Sequence, residues 1–365
     1  MKILFVLNSI YTIGNGLAAS ARRTVQALRE QGEEVRVLSG PNHNPEGPQP
    51  EYLLKDFYFP IFQPLIRAHG YQFSSTDVKV VEEAVRWADV VHMQEPFVLE
   101  IRTAKIAKRL GKPVTGTYHL HPENIFYSLA MGGWKFPNQL MLKIWKDWCF
   151  KHWSHIQCPT QNVLERLKKL GCTSELHLIS NGIIPDESIR QPQDNHPYIV
   201  ACIGRLTGEK DQITLLEAMK YCRHAREIQL IYAGKGPQEK KTRRIAARLY
   251  KKGILAYNPS FEFMNREELR QLGAKADLFI HCAIAEVEGL SIMEAMQQGG
   301  VPVIAQGPIT GACQFALDNR SLFQQHDARE LAQKIDWWLD HPKELEEARN
   351  SYIESMKAYE ISKSA

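Results

Sequence analysis

Short apolar runs alternate with helix-patterned segments along almost the whole chain, and this alternation limits the fold more than any other feature. An apolar run at 3–7 leads into a loop with Gly14 and Gly16, a helix pattern over about 18–31 and a second run at 34–39. Runs at 90–93 and 114–119 flank a basic helical segment, 101–110, and runs at 156–158 and 176–179 continue the series. Strands that alternate with helices form a parallel sheet covered on both faces. The polar, Pro-containing stretch 186–197 has no apolar periodicity and reads as a linker. A second strand–loop–helix series begins at 198–204, with later runs at 228–233, 278–281 and 301–305. The predicted architecture is α/β, with two doubly wound, Rossmann-like domains over 1–185 and 198–345. Ligands are expected in a cleft at the C-terminal strand edges.

Composition narrows the function classes. The 365 residues suit two ordinary domains, and 44% apolar with 24% charged residues is the balance of a soluble globular protein. Lys and Arg number 45 against 41 Asp and Glu, and a formal charge of +4 gives no case for nucleic acid. The 7 cysteines form no C-x-x-C pair, a pattern expected of buried thiols in a reducing cytoplasm. No run reaches the roughly 18 apolar residues that a transmembrane helix needs.

The side chains with chemical potential lie at the ends of the predicted strands. Glu286 and Glu294 bracket Glu288-Gly289-Leu290-Ser291, between the run at 278–281 and a helix pattern over 292–298. A small-residue loop opening a helix offers N–H groups and a positive dipole end to an anion. The carboxylates would then take hydroxyls of a phosphate-bearing sugar. A helix N-cap followed by a solvated acid fits the spacing equally. In the loop 204–210, Gly204 permits a sharp turn, and Arg205 and Lys210 flank it. Two cations there would clamp a diphosphate, each charge-assisted bond contributing roughly 1.5–3 kcal/mol. The alternative is a basic surface loop.

Gly14-Asn15-Gly16 lacks the third glycine of a dinucleotide fingerprint, and no acid ends the run at 34–39, so a nicotinamide cofactor is not expected. The loop still permits close approach of a sugar phosphate, or is a plain strand-to-helix turn. His119 ends the run at 114–119, placed either to bond a sugar hydroxyl or to serve as a structural residue. His121 and Glu123 follow it without metal-ligand spacing, and no D-x-D pair offers to bridge a diphosphate through a cation. Residues 126–153 concentrate Trp134, Phe136, Trp145, Trp148 and Trp153 among Lys135, Lys143, Lys146 and Lys151. At about 100° per residue, Leu140, Met141, Ile144, Trp145 and Trp148 share a broad face. That face either docks on an anionic membrane surface or is buried in the domain. The Pro-broken segment 57–67 is either a lid or acceptor surface, or core.

Together these residues resemble the retaining GT-B glycosyltransferases of family four (group 1). The resemblance covers nearly the whole chain. It rests on the Glu286–Glu294 stretch, the Gly-Arg-Leu-x-x-Glu-Lys loop at 204–210, Ser180-Asn181-Gly182-Ile183 and Ala233-Gly234-Lys235-Gly236-Pro237. It implies a GT-B fold with an interdomain cleft, a nucleotide-sugar donor, retention of anomeric configuration, no cofactor and no required metal. It implies that Arg205 and Lys210 hold the donor diphosphate and stabilise it as a leaving group. Gly16, Gly204, Gly289, Leu290 and Ser291 would line the donor. Glu286 would bond the donor sugar's hydroxyls, Glu294 the ribose diol, and His119 would lie near the anomeric carbon. Thr207-Gly208 departs from the commoner Ser-Pro step.

His121-Pro122-Glu123-Asn124-Ile125, Asp89-Val90-Val91-His92 with Pro96-Phe97, and Leu178-Ile179-Ser180-Asn181-Gly182 are most similar to bacterial diacylglycerol glucosyltransferases. That subgroup implies a donor of the UDP-glucose type, a glycerolipid acceptor, and a cytoplasmic enzyme peripheral to the inner membrane face. A saccharide acceptor in polysaccharide or capsule assembly stays open, as does a nucleotide-sugar 2-epimerase. The resemblance also implies a C-terminal crossover helix, about 346–365, that joins the first domain.

Overall fold

The computed structural model describes residues 1–12, 14–60, 63–68, 71–128, 131–186 and 196–365. The expected linker lies almost wholly outside the described residues, as do Ile61 and Phe62 of the segment 57–67. The chain forms two compact units, Met1–Gly182 with Ile361–Ala365, and Ile183–Glu360.

The first unit runs β1 (Lys2–Val6), α1 (Gly16–Glu30), β2 (Glu34–Ser39), β3 (Tyr52–Leu53), β4 (Asp56–Phe57), α2 (Gln63–Ala68), β5 (Phe73–Ser74) and α3 (Val78–Trp87). It continues with β6 (Val90–Met93), α4 (Val98–Arg109), β7 (Val114–Thr117), α5 (Pro122–Ser128), α6 (Lys135–Trp148), β8 (His155–Cys158), α7 (Gln161–Leu170) and β9 (Glu175–Leu178). Its parallel sheet has the order β3-β2-β1-β6-β7-β8-β9. The strand order reverses between β1 and β6. Four of the five β1 residues are buried, because helices cover a central parallel strand on both faces. Asn15 starts α1 by accepting from the N–H groups of Leu17 and Ala18, and Thr160 caps α7 through Val163 N. The short antiparallel pair β4–β5 was not foreseen from the sequence.

The second unit runs β10 (Tyr198–Ile203), α8 (Ile213–Ala218), β11 (Ile228–Ala233), α9 (Glu239–Lys251), β12 (Ser260–Glu262) and α10 (Arg266–Lys275). Then come β13 (Leu278–His281), α11 (Leu290–Gln297), β14 (Val301–Gln306), β15 (Leu322–Gln324), α12 (Ala328–Asp340) and α13 (Pro342–Met356). Its sheet is parallel, in the order β12-β11-β10-β13-β14-β15, with the reversal between β10 and β13. All four residues of β13 are buried.

The C-terminal crossover differs from the expectation of a whole helix over 346–365 in the first domain. Helix α13 belongs to the second unit, and only Ile361–Ala365 joins the first. Buried Leu345, Tyr352 and Met356 join the second unit's core, and Arg349 adds a charged tie. Its side chain is 4% exposed, Nη2 lies 3.2 Å from Asp277 Oδ1, and Nη1 donates to the carbonyls of Ala276 and Gly299. Asp277 in turn accepts from Ile199 N at 2.8 Å, at the start of the central strand. The helix is thus fastened to the second sheet by a buried charge. Arg349→Ala should destabilise the second unit by roughly 3–5 kcal/mol, because the Asp277 carboxylate would stay buried without its partner. Urea denaturation followed by circular dichroism checks this. An unshifted midpoint would mean that the other contacts of Asp277 hold its carboxylate without Arg349.

Candidate active site

In a doubly wound sheet, loops from neighbouring strands diverge where the strand order reverses and leave a crevice at the C-terminal edge. In the second unit that point lies between β10 and β13, and most of the predicted residues converge there. Gly204 follows β10 directly, with Arg205 and Lys210 on the same loop. Glu286 follows β13, and its carboxylate pairs with the Lys210 ammonium across the reversal point. His281, the last residue of β13, lies 3.3 Å from the same carboxylate oxygen. Burial works to raise the Glu286 carboxyl, but the Lys210 charge and His281 outweigh it and hold it well below the usual carboxylate range. Lys210 and Glu286 therefore face each other as a charged pair in a poorly solvated position.

Main-chain contacts fix both loops. Glu286 N donates to Ile309 O at 2.9 Å, and Gly311 N donates to Glu286 O at 2.7 Å, which ties Glu286 to the loop after β14. The loop after β10 rests on the loop after β11. Leu206 N donates to Lys235 O at 3.0 Å, and Gln238 N to Leu206 O at 2.9 Å. A side chain at Gly234 would place its Cβ 2.1 Å from the carbonyl oxygen of Gly204, so only glycine fits. Arg205 is partly exposed, with Nη2 3.4 Å from Glu209 Oε1, and its carbonyl accepts from Gln212 Nε2 at 2.7 Å. Arg205 and Lys210 thus share a loop but pair with different acids.

Gly289, at φ 95°, turns the chain into α11 without a side-chain cap. Leu290 and Ser291 form the first turn of that helix, and Glu294 lies half-buried one turn further on. The α11 N-terminus, with its outward N–H groups, is the anion-favouring element of this edge.

The first unit carries the other two predicted residues. Gly16 is the first residue of α1, beyond the Asn15 cap, and nothing lies within 4 Å of where its Cβ would be. Strand β7 ends at Thr117, so His119 sits in the loop beyond it. His119 Nε2 is 2.8 Å from Gln94 Oε1, on the loop after the neighbouring strand β6. As Gln94 offers an oxygen, Nε2 carries the proton. Burial, and then the neighbouring His92, lower the His119 imidazole to about 3, so it is neutral across the ordinary pH range. His92 contacts the hydroxyls of Thr115 and Thr117 at 2.7 and 3.0 Å and is lowered to about 4 by burial.

At the reversal between β1 and β6, Glu95 accepts from Asn8 N and Nδ2 at 2.7 and 2.9 Å. His121 and Glu123 do other work. Arg166 holds Glu123 with contacts of 2.8 and 3.1 Å, and His121 Nδ1 lies 2.9 Å from Arg166 and 3.0 Å from the Tyr118 hydroxyl.

Sequence reading missed three contributors. His281 was visible as the end of an apolar run five residues before Glu286. Gln94 gave no signal, because only strand pairing brings it to His119. The role of Gly234 was hidden, since a glycine's neighbours do not appear in its own sequence.

Residues 14–187 match Glycosyltransferase Family 4, and residues 184–357 match Glycosyl transferases group 1. The alpha-monoglucosyldiacylglycerol synthase of Streptococcus pneumoniae is 23% identical over 323 residues, spanning 84% of this chain and 71% of that protein. The sulfoquinovosyl transferase of Arabidopsis thaliana is 24% identical over 83% of this chain and 58% of its own length. Among solved structures, Anabaena HepE in complex with UDP-glucose superposes with a TM-score of 0.72 at 18% identity, covering 99% of this chain and 96% of that one. The chain belongs to the group 1 glycosyltransferases, with a family 4 domain preceding its group 1 domain, and has the GT-B fold.

Proposed function

We propose that this enzyme moves a hexose from a nucleotide-diphosphate sugar of the UDP-glucose type to a hydroxyl of a membrane glycerolipid such as diacylglycerol, with retention. The carrying observation is the Lys210–Glu286 pair at the reversal point of the group 1 domain. An ammonium has three donors. Lys210 can keep Glu286 with one and offer the others to a diphosphate, with Arg205 supplying the second cation. The α11 N-terminus at Gly289, Leu290 and Ser291 adds backbone N–H groups. Glu286, held ionised, accepts from the hydroxyls of the donor sugar, and Glu294 takes the ribose diol. Gly204 and Gly16 keep main chain close to the donor. His119 supplies a neutral imidazole to the reacting sugar. The bond from the anomeric carbon to the diphosphate oxygen breaks as the bond to the acceptor oxygen forms on the same face. The acceptor proton passes to the departing diphosphate. No metal takes part in this scheme. The names of the S. pneumoniae synthase and of the HepE complex support the lipid and UDP-glucose parts respectively.

Helix α6 supports the lipid acceptor. The broad apolar face expected there divides in two. Leu142 and Trp145 are buried, with Trp145 set edge-on against Phe97. Phe136, Leu140, Ile144 and Trp148 recur every fourth residue and are 76%, 46%, 41% and 64% exposed. Trp134, the residue before the helix, is also exposed. Burial and the charges of Lys151, Lys108 and Lys105 depress His152, which marks a basic cluster just after Trp148. An exposed apolar stripe beside basic residues suits an anionic lipid surface. Among the described residues no helix is long and apolar enough to cross a membrane.

UDP should be released from UDP-glucose when diacylglycerol vesicles are supplied, and Lys210→Ala should lower kcat/KM by roughly 10²–10³-fold, the loss typical of one preorganised charge-stabilising donor. Turnover close to wild type would remove Lys210 from the diphosphate. Release driven by oligosaccharides instead of diacylglycerol would replace the lipid with a saccharide acceptor.

Phosphatidylglycerol vesicles should sediment with the protein at low salt and release it at high salt, as screened attraction requires. Trp148→Glu with Ile144→Glu should weaken binding about tenfold or more, a change of about 1.4 kcal/mol. Salt-independent or absent sedimentation would exclude the membrane surface.

Because His119 is lowered to about 3, the pH profile of kcat/KM should have no limb from this group between pH 5 and 8. Gln94→Glu puts a carboxylate against Nε2 and favours the imidazolium. A new acidic limb, with activity falling as pH drops, should then enter that window. An unchanged profile would separate Gln94 from the function of His119.

A further inference from the structure

Two imidazoles and a carboxylate converge on the outer edge of the first sheet, in residues that the transfer reaction does not use. Strands β8 and β9 are parallel neighbours, with His155 opposite Glu175 and Gln157 opposite His177. Side chains two positions apart on a strand share a face. Glu175 and His177 therefore project on one side of β9, and His155 projects on the same side of β8. His155 Nδ1 lies 3.0 Å from His177 Nε2. The Glu175 carboxylate offers Oε2 at 3.4 Å to His155 and Oε1 at 3.7 Å to His177. One candidate ligand atom from each residue lies within 4.8 Å of the others. The ring centroids are 5.2 Å apart, so both rings point into the same small volume.

Ligand atoms about 2.0–2.1 Å from a tetrahedral metal lie about 3.3 Å from one another. The three contacts bracket that edge length, so little movement is needed to seat an ion. We propose that His155, Glu175 and His177 form a surface site for a divalent transition-metal ion of the Zn²⁺ type, with water completing its coordination. The donor set selects the metal class. Imidazole nitrogens suit zinc, nickel and copper, whereas calcium and magnesium take oxygen ligands. Two neutral imidazoles and one carboxylate leave the site with a net negative charge, complementary to a divalent cation. Only one proton fits between two facing imidazole nitrogens, but a metal uses the lone pair of each. The side chains are 48%, 66% and 37% exposed, so an ion has a path from solvent. Strand β9 is the last of its sheet and has no fully buried residue. A metal bridging it to β8 would cross-link an edge strand to its one neighbour in the sheet.

The test uses the full chain, stripped with a chelator and dialysed. Titration with Zn²⁺ followed by calorimetry should give one site per chain, and millimolar Ca²⁺ or Mg²⁺ should give none. Thermal unfolding at a hundredfold excess of Zn²⁺ over Kd should rise by about 5 °C or more. Co²⁺ should give visible bands without the intense thiolate absorption in the near ultraviolet. His155→Ala, His177→Gln and Glu175→Gln should each weaken binding about tenfold or more, with the far-ultraviolet circular dichroism unchanged. All three positions are on the surface, and the two glutamine variants keep bulk and polarity, so they decide the matter if the alanine variant folds poorly. Zn²⁺ affinity unchanged in these variants, or a thiolate absorption with Co²⁺, would place the metal on the cysteines and overturn the proposal. So would the absence of binding to the wild-type chain.

Discussion

The ion pair between Lys210 and Glu286 is the interaction on which the candidate site depends. It spans the one place in the second sheet where neighbouring strands send their loops in opposite directions. Two opposite charges held there in a poorly solvated position interact far more strongly than they would in water. The pair keeps Glu286 ionised against the pull of burial. Its contribution to stability is present above the ordinary carboxylate pKa. It is lost only as pH falls through the depressed folded value, so the pair persists across the range in which an enzyme of this kind works. An anion entering that edge meets a cation already held in position by an acid, which is preorganisation in its electrostatic sense.

The first unit answers the same problem with neutral groups. His92 and His119 are half-buried beside hydroxyl and amide oxygens, and among the described residues no acid pairs with either ring, so loss of solvation lowers both imidazoles and leaves them neutral. Glu95 is stabilised by donors from Asn8, and burial still raises its carboxyl. The second sheet's edge thus centres on an ion pair, and the residues around His119 in the first unit on neutral imidazoles.

The strands and long helices could be read from the sequence because their signal is local. The runs at 34–39, 90–93, 228–233 and 278–281 are dense in β-branched and apolar residues and return as β2, β6, β11 and β13. The short β3, β12 and β15 could not, because two or three residues at a sheet edge carry no period. Glu286 and Lys210 stood out because glycine-containing loops framed them, although their pairing depends on β10 lying next to β13 rather than on sequence proximity. The face of α6, left between a docking surface and a buried one, could not be divided from the sequence for a related reason. A helical wheel groups Trp145 with Trp148, but tertiary packing, with Phe97 edge-on to Trp145, decides which of them is covered. The final helix, which the resemblance assigned to the first domain, packs on the second unit, where Arg349 and buried Leu345, Tyr352 and Met356 hold it.

Main chain, rather than side chain, shapes the loops that carry the candidate site. Glu286 is held by its own N–H and C=O against the loop after β14, and the Arg205 loop by Leu206 against Lys235 and Gln238. The charged side chains contribute little to the backbone path that presents them. Arg205, for example, is partly exposed and reaches its nearest acid at 3.4 Å. Gly234 does contribute, because any Cβ there would collide with the Gly204 carbonyl. The loop geometry therefore rests on main-chain contacts and on one glycine. The charged side chains are left free to vary in reach and partner without moving the scaffold. A fold built this way can change its donor or acceptor by side-chain substitution while keeping one sheet edge, which agrees with the different sugars and lipids named for proteins with which this chain shares about a quarter of its residues.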